Sequence, residues 1–450
     1  MSRTGYRHGR TSGRDDPRAL IRRDTVLIIA VHLDDVPGAP FRAGPLERRW
    51  RVGRPDEVVS SASRRAAYTQ RHLEPLLWGQ HVRWHQEVPQ AEASPSRFQL
   101  SAIELVRLND TALGALKDMG SPVHANGVAL LHGSLPPDPP AQLPKTLQEC
   151  ADVDPHHGQG AQRAWVARQL PSGCRIADTE REAVHCTLVT AQSGLVRLHP
   201  GRAQRNWDSL DQWLWHLHHA TLYPPGPEAA EQLHAMRLPL PTKVRGVLGV
   251  RGLTLVGTEQ DPGVGVPRNY YDGTSYHLAT LYADALALAR LQQTVLDAFG
   301  SEVARIGEHE PRRRKVAQME RDLLVFRRSY WAAGFGRQGT VDAMVRAWQQ
   351  SAGLPQSLQS LVSDLGELSR QVQSAETETT NAILGLLAAV GLPLTTGLAI
   401  WQGLPQAGSS SLFRILGATG VVTVGLVTLF PGLRRLFVDL FRRKWRGGRR

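Results

Sequence analysis

Cysteine is nearly absent from this chain of 450 residues. Cys150, Cys174 and Cys186 are odd in number, far apart, and form no Cys-x-x-Cys pair. That excludes a disulfide framework and a zinc ribbon, and it fits a reducing compartment. Lysine is almost as scarce, with five of the 53 basic residues. The motifs that announce common chemistries are missing too. There is no phosphate loop, no Gly-x-Ser-x-Gly elbow and no His-Glu-x-x-His, so nothing positively supports an enzyme, although a triad assembled across the fold leaves no such trace. The first apolar run, Thr25 to Val31, is seven residues long with no small-residue cleavage site after it. No signal peptide is expected.

Positive charge is in excess, and its placement matters more than its size. The formal net charge is +12; residues 1–23 carry +5 and residues 434–450 carry +7, which leaves the body neutral. Basic ends on a neutral body point to anionic lipid headgroups as the partner. A nucleic-acid partner is not expected, since the N-terminal arm offers only Tyr6 as a stacking platform.

The longest uncharged runs lie near the end. Ala382 to Trp401 is twenty residues and Ile415 to Leu433 is nineteen. A helix needs about twenty apolar residues to cross the hydrocarbon core, so a two-helix transmembrane hairpin is expected over 381–433, with a pair of buried core helices as the alternative. The connector Gln402 to Ser411 is uncharged, and Arg434, Arg435, Arg442, Arg443 and Lys444 follow the second run. Basic flanks stay inside, which predicts a multi-pass protein of the inner membrane with both termini cytoplasmic. The apolar and basic residues of the tail also suit a helix lying on the membrane surface. Upstream, Leu358, Leu361, Leu365, Leu368, Val372 and Ala375 alternate steps of three and four. This seam predicts helix packing, either in a coiled coil between copies of the chain or against its own body.

A large N-terminal body, a long helical stalk, two crossings joined by a short outer loop and a basic inner tail together resemble the CorA-like divalent-cation channel superfamily. The likeness covers roughly the last 175 residues, from Ser275. It implies a homopentamer, cytoplasmic metal-sensing carboxylates and cation transport. That family carries Gly-Met-Asn at the outer end of its first crossing. This chain has Trp401-Gln402-Gly403 there, and none of its five methionines lies in the hairpin.

The body reads as α/β to about residue 272 and as all-α beyond it. The domains expected are a basic disordered arm (1–23), a cytoplasmic α/β domain (24–272), a helical stalk region (273–380), the hairpin (381–433) and the basic tail (434–450). Strands are expected at Thr25–Val31, Gly127–Leu131, Ala183–Thr190 and Leu195–Leu198. Arg97 to Leu108 is open between strand and helix. Helices are expected from about Ser63 to Leu73, at Trp207–His218, from Ser275 to about Ile306, and over Arg312–Trp331 and Val341–Gln350. Val244–Val256 reads as a hairpin.

Candidate sites follow from this layout. Glu376 and Glu378, at the inner mouth of the first crossing, are candidates for a cation-attracting ring, with a solvated helix face as the bland alternative. Asn381, Thr395 and Thr396 are the pore-lining candidates. His216, His218 and His219, and the group Asp152, Asp154, His156 and His157, invite a metal reading, but neither has a matching ligand spacing. No catalytic residue or resident cofactor is expected, and a divalent cation is the candidate ion. The expected function is a homo-oligomeric cation channel. The alternative is a non-conducting, membrane-anchored sensor or scaffold with a cytoplasmic protein partner, for example in bacterial stress or defence signalling.

Overall fold

The computed structural model describes residues 20–51, 58–89, 94–110, 112–114, 125–157, 160–198, 207–307, 313–331, 335–336 and 339–402, and residues 414, 417, 418, 420 and 421. The chain divides into two compact units, Met1–Glu308 with Gln318–Ser363, and His309–Ala317 with Asp364–Arg450.

The first unit is built on a mixed sheet of nine strands. They are β1 (Leu20–Leu33), β2 (Arg42–Ala43), β5 (Arg83–Glu87), β6 (Gln99–Arg107), β7 (Gly127–Ser134), β8 (Cys174–Ile176), β9 (Val184–Ala191), β10 (Val244–Gly249) and β11 (Gly252–Gly257). Their order is β10-β11-β9-β1-β7-β6-β5-β2, with β8 also paired to β1. Every pairing is antiparallel except β9 with β11. The short strands β3 (Arg49–Arg51) and β4 (Val58–Ser60) form a separate ribbon.

β1 is central and buried on both faces, which is why it reads as a continuous apolar run rather than an alternating one. Leu27, Ile29, Val31 and Leu33 point to one side. There they meet α3 (Leu143–Ala151), α4 (Ala161–Gln169) and α5 (Ser209–His218), whose Leu147, Trp165 and Trp213 are fully buried in the same core. The other face, which carries Asp24, Val26 and Ile28, packs under α7 (Tyr270–His277) and α8 (Ala283–Gly307), joined by a π-helical turn at Leu278–Tyr282. Short helices α1 (Ser61–Tyr68), α2 (Glu74–Leu77) and α6 (Ala229–Ala235) complete the sheet region. Then α9 (Arg313–Phe326), α10 (Gly339–Ser351) and α11 (Leu354–Gln402) follow.

The expected α/β body is a mixed-sheet domain with helices, but the expected transmembrane hairpin is corrected. Among the described residues, no helix is long and apolar enough to cross a membrane. The run Ala382–Trp401 is the last part of the 49-residue α11, continuous with the seam residues before it. It is uncharged without being uniformly apolar: Gly385, Gly391, Pro393, Thr395, Thr396 and Gly397 all fall in it. Most of the second run, nearly all of the connector, the basic tail and most of the N-terminal arm lie outside the described residues. The inner-membrane, multi-pass placement with cytoplasmic termini falls with the hairpin, because that placement was inferred from it. The seam has a use within one chain. Leu358, Leu361, Leu365, Leu368 and Val372 are all buried without a second copy, while Ala375 is exposed.

Candidate functional site

The face of the sheet under α7 and α8 carries an uncommon load of buried charge. Cross-strand register sets it out. Asp24 on β1 lies opposite Ser134 on β7, and Val26 lies opposite His132. His132 in turn faces Ala102 on β6, and Leu130 faces Glu104. Arg83 comes from β5, next to β6.

These groups form a connected network. Arg83 grips Glu104 with two parallel bonds, Nε to Oε1 at 2.9 Å and Nη2 to Oε2 at 2.8 Å. Its Nη1 reaches Asp284 of α8 at 2.6 Å. Asp284 also accepts from Arg65 Nε at 2.7 Å and from the Trp78 indole at 2.9 Å. Buried charges persist only when paired in this way. Burial pushes the Glu104 carboxyl up, but the Arg83 guanidinium and the His132 ring outweigh it and hold the group well below the carboxylate range. Burial drives the pKa of His132 down against the pull of Glu104, so the ring is neutral near pH 7. His132 Nε2 lies 2.8 Å from Glu104 Oε2. An ionised carboxylate only accepts, so Nε2 carries the proton. Nδ1 is then a bare acceptor, and it is buried with no partner.

Beside this network lies a cavity of about 230 Å³, lined among others by Asp24, Arg48, Ser101, His132, Ser134 and Ser275, with Leu278 and Ala279 as an apolar wall. Each polar group is placed by a local feature. Arg48 precedes β3 in a loop pinned to α1, where its N–H donates to Ser61 Oγ at 3.1 Å and its carbonyl accepts from Ser61 N at 2.8 Å. Leu46 N donates to Glu104 Oε1 at 2.7 Å, which ties the same loop to the buried network. Ser101 sits at a register shift between Leu100 and Ala102 in β6, the kind of bulge that re-aims a side chain. Leu278 and Ala279 come from the π-helical turn, an irregularity often found at functional sites. Ser275 Oγ donates to Asp24 Oδ2 at 2.5 Å, and Ser101 Oγ donates to the carbonyl of His132 at 3.0 Å.

The arginines buried among the described residues, Arg22, Arg65 and Arg83, all have carboxylate partners. Arg22 pairs with Asp261 and Asp272, Arg65 with Asp284, and Arg83 with Glu104 and Asp284. The guanidinium of Arg48 has no ion pair among the described residues, and its Nε is buried without a hydrogen bond. Burial lowers its pKa, with Glu104 acting against that and Arg65 adding to it, but arginine stays charged regardless.

Asp24 is the other exception. Burial raises its pKa, while Ser275, Arg22 and Arg48 oppose the rise without cancelling it. A carboxyl whose folded pKa exceeds its ordinary 3.8 favours folding most when protonated, and that contribution fades as pH rises through the raised value. Asn at this position keeps an acceptor for Ser275 and removes the charge. Asp24→Asn is therefore expected to melt at a higher temperature than the parent chain at pH 7. The gap should close as pH falls to about 3.8 and below, as read by calorimetric melting across pH.

The residues expected from sequence lie elsewhere. Glu376, Glu378, Asn381, Thr395 and Thr396 all fall on α11. Glu376 is paired with Arg313 at 2.9 Å, and Asn381 and Thr395 are exposed. Arg434, Arg435, Arg442, Arg443 and Lys444 lie outside the described residues. Among the described residues, no three His, Cys, Asp or Glu side chains are grouped so as to hold a metal ion. Asp152, Asp154, His156 and His157 form a polar turn in which the Asp152 and Asp154 side chains accept from backbone N–H groups and Asp152 also meets the His157 ring. His216 and His218 are buried in α5, and His216 Nδ1 bonds the carbonyl of Thr221 at 2.8 Å.

Sequence reasoning passed over Asp24, Arg48, His132 and Ser275. Their signal was modest: Asp24 and His132 are polar residues next to or inside runs that otherwise read as buried strand.

No protein-family model, no curated protein and no solved structure matches the chain. The resemblance to CorA-like channels, and the ion transport it implied, therefore has no family match behind it.

Proposed function

We propose that the chain is a non-enzymatic sensor or scaffold whose α/β unit takes a small polar molecule into the cavity beside Arg48. Both functions expected from the sequence were drawn with a membrane hairpin; the sensor or scaffold is kept without that anchor, whereas a pore has no meaning without it. Arg48 carries the reading: it is a half-buried cation that lines a polar cavity and makes no direct ion pair among the described residues, with Glu104 and Asp24 acting on it only at longer range. Leaving a buried charge uncompensated is costly, and a ligand anion relieves that cost. Nucleophilic catalysis finds little support in the same cavity. Ser275 donates to a carboxylate and Ser101 to a backbone carbonyl, so neither hydroxyl is paired with an imidazole base.

A ligand that enters the cavity stabilises the fold by mass action, by about 2.7 kcal/mol at a hundred times its Kd. Replacing Ala279 with leucine fills the space and removes that stabilisation without touching a charge. Melting curves over a panel of small metabolites therefore test the proposal.

A further inference from the structure

Asp24 and Arg48 line the same cavity, yet no ion pair joins them. The buried carboxylates described in this unit touch a cation: Glu104 and Asp284 touch Arg83, Asp261 touches Arg22, Glu180 touches Arg290, Asp138 touches Arg97 and Glu302 touches Arg305. For half-buried Asp24, the Ser275 hydroxyl is the only side-chain hydrogen-bond partner among the described residues. Two opposite charges are thus held in one polar space and kept apart.

A simple anion placed on Arg48 meets repulsion from Asp24. A simple cation placed on Asp24 meets repulsion from Arg48. A molecule with one charge of each sign satisfies both, and its ammonium hydrogens also suit the bare acceptor at His132 Nδ1. Volume narrows the choice. At 230 Å³ the cavity has room for several waters, or for a molecule of free amino-acid size in their place. It falls below the roughly 300–1,000 Å³ of drug-sized ligand pockets, which argues against a nucleotide. The wall of Leu278 and Ala279 gives a small apolar side chain a surface to lie on.

We infer that the ligand is a small zwitterion, an amino-carboxylate of free amino-acid size, with its carboxylate on Arg48 and its ammonium on Asp24. This deepens the sensor reading and rests on it.

Isothermal titration of the full chain with the common free amino acids tests it, with acetate, inorganic phosphate and methylamine as singly functional probes. At least one amino acid is expected to bind more tightly than any of the three probes. Arg48→Gln and Asp24→Asn should each weaken it about tenfold or more, the usual worth of a charged hydrogen bond. Ala279→Leu should abolish binding, and circular dichroism melting checks that each variant folds. If Arg48→Gln does not fold, Arg48→Lys keeps the charge and should retain weakened binding. One result overturns the zwitterion and leaves the cavity reading standing: acetate or phosphate binds, Arg48→Gln removes that binding, and Asp24→Asn tightens it. Amino-acid binding that survives Ala279→Leu places the ligand outside the cavity and overturns the inference. So does the absence of binding by every amino acid, while other classes of metabolite then decide the sensor reading separately.

Discussion

Replacing Arg83 with methionine is expected to destabilise the fold by about 3–5 kcal/mol, the range seen when one partner of a buried ion pair is removed. Arg83 is fully buried and neutralises two carboxylates from distant parts of the chain, Glu104 on β6 and Asp284 on α8. Without it, Glu104 keeps the His132 ring and the Leu46 N–H, and Asp284 keeps Arg65 and Trp78. Hydrogen bonds remain, but two negative charges then face too few positive ones in a dry interior. Domains are stable by only about 5–15 kcal/mol, so the loss takes a large share of the total. Urea denaturation measures it. The double variant Arg83→Met, Glu104→Gln should recover part of the loss, because neutralising both partners costs less than orphaning one. A single variant within 1 kcal/mol of the parent would mean that this network is not buried as described.

Gly252→Ala is expected to cost more than about 3 kcal/mol, for two reasons that act together. Gly252 opens β11 at φ +130°, a region that L side chains rarely adopt, and such strain alone costs about 1–3 kcal/mol. A methyl group there would also lie 1.8 Å from the carbonyl oxygen of His185. The neighbour in the way is backbone, held in the sheet by the bond from His185 N to Arg251 O at 2.9 Å, so it cannot swing aside. Gly252 is the point where the β10–β11 hairpin meets β9 in the sheet's one parallel pairing. Denaturant unfolding, together with hydrogen exchange of β9 and β11, should show the hairpin opening first.

Local pattern made part of this fold readable. Thr25–Val31, Trp207–His218, Val244–Val256 and the helix after Ser275 announce themselves through β-branched runs, helical periodicity and glycine turns, and they stand where expected. Leu195–Leu198 does not. It reads as a strand but winds as a short 3-10 turn at Leu195–Arg197. The Trp213 indole donates to the carbonyls of Leu195 and Leu198, a tertiary contact that periodicity cannot foresee. Helix α3 was not among the expected elements, because five prolines between Leu135 and Pro144 read as loop, although Pro144 stands in its first turn, where proline is well tolerated.

The hairpin expectation failed for a different reason. It was overturned by the structure, in which no helix among the described residues is long and apolar enough to cross a membrane. The candidate site was the least legible of all. Asp24, Arg48, Ser101, His132 and Ser275 span some 250 positions with no shared spacing, and only the strand register and the loop pinned at Ser61 bring them to one cavity. A charged residue inside an apolar strand is the one trace such a site leaves in a sequence.

The central claim is that the cavity beside Arg48 holds a small polar molecule. Melting the parent chain and Ala279→Leu side by side tests it most directly, with organic acids, amino acids, sugars, phosphates and nucleotides each at millimolar concentration. At least one class should raise the parent's midpoint by about 3 °C or more, given about 2.7 kcal/mol near saturation and a melting entropy of about 2.1 cal/mol/K per residue in a unit of this size. The same compound should leave Ala279→Leu unmoved. A panel in which nothing shifts the parent, or in which Ala279→Leu shifts equally, contradicts the claim.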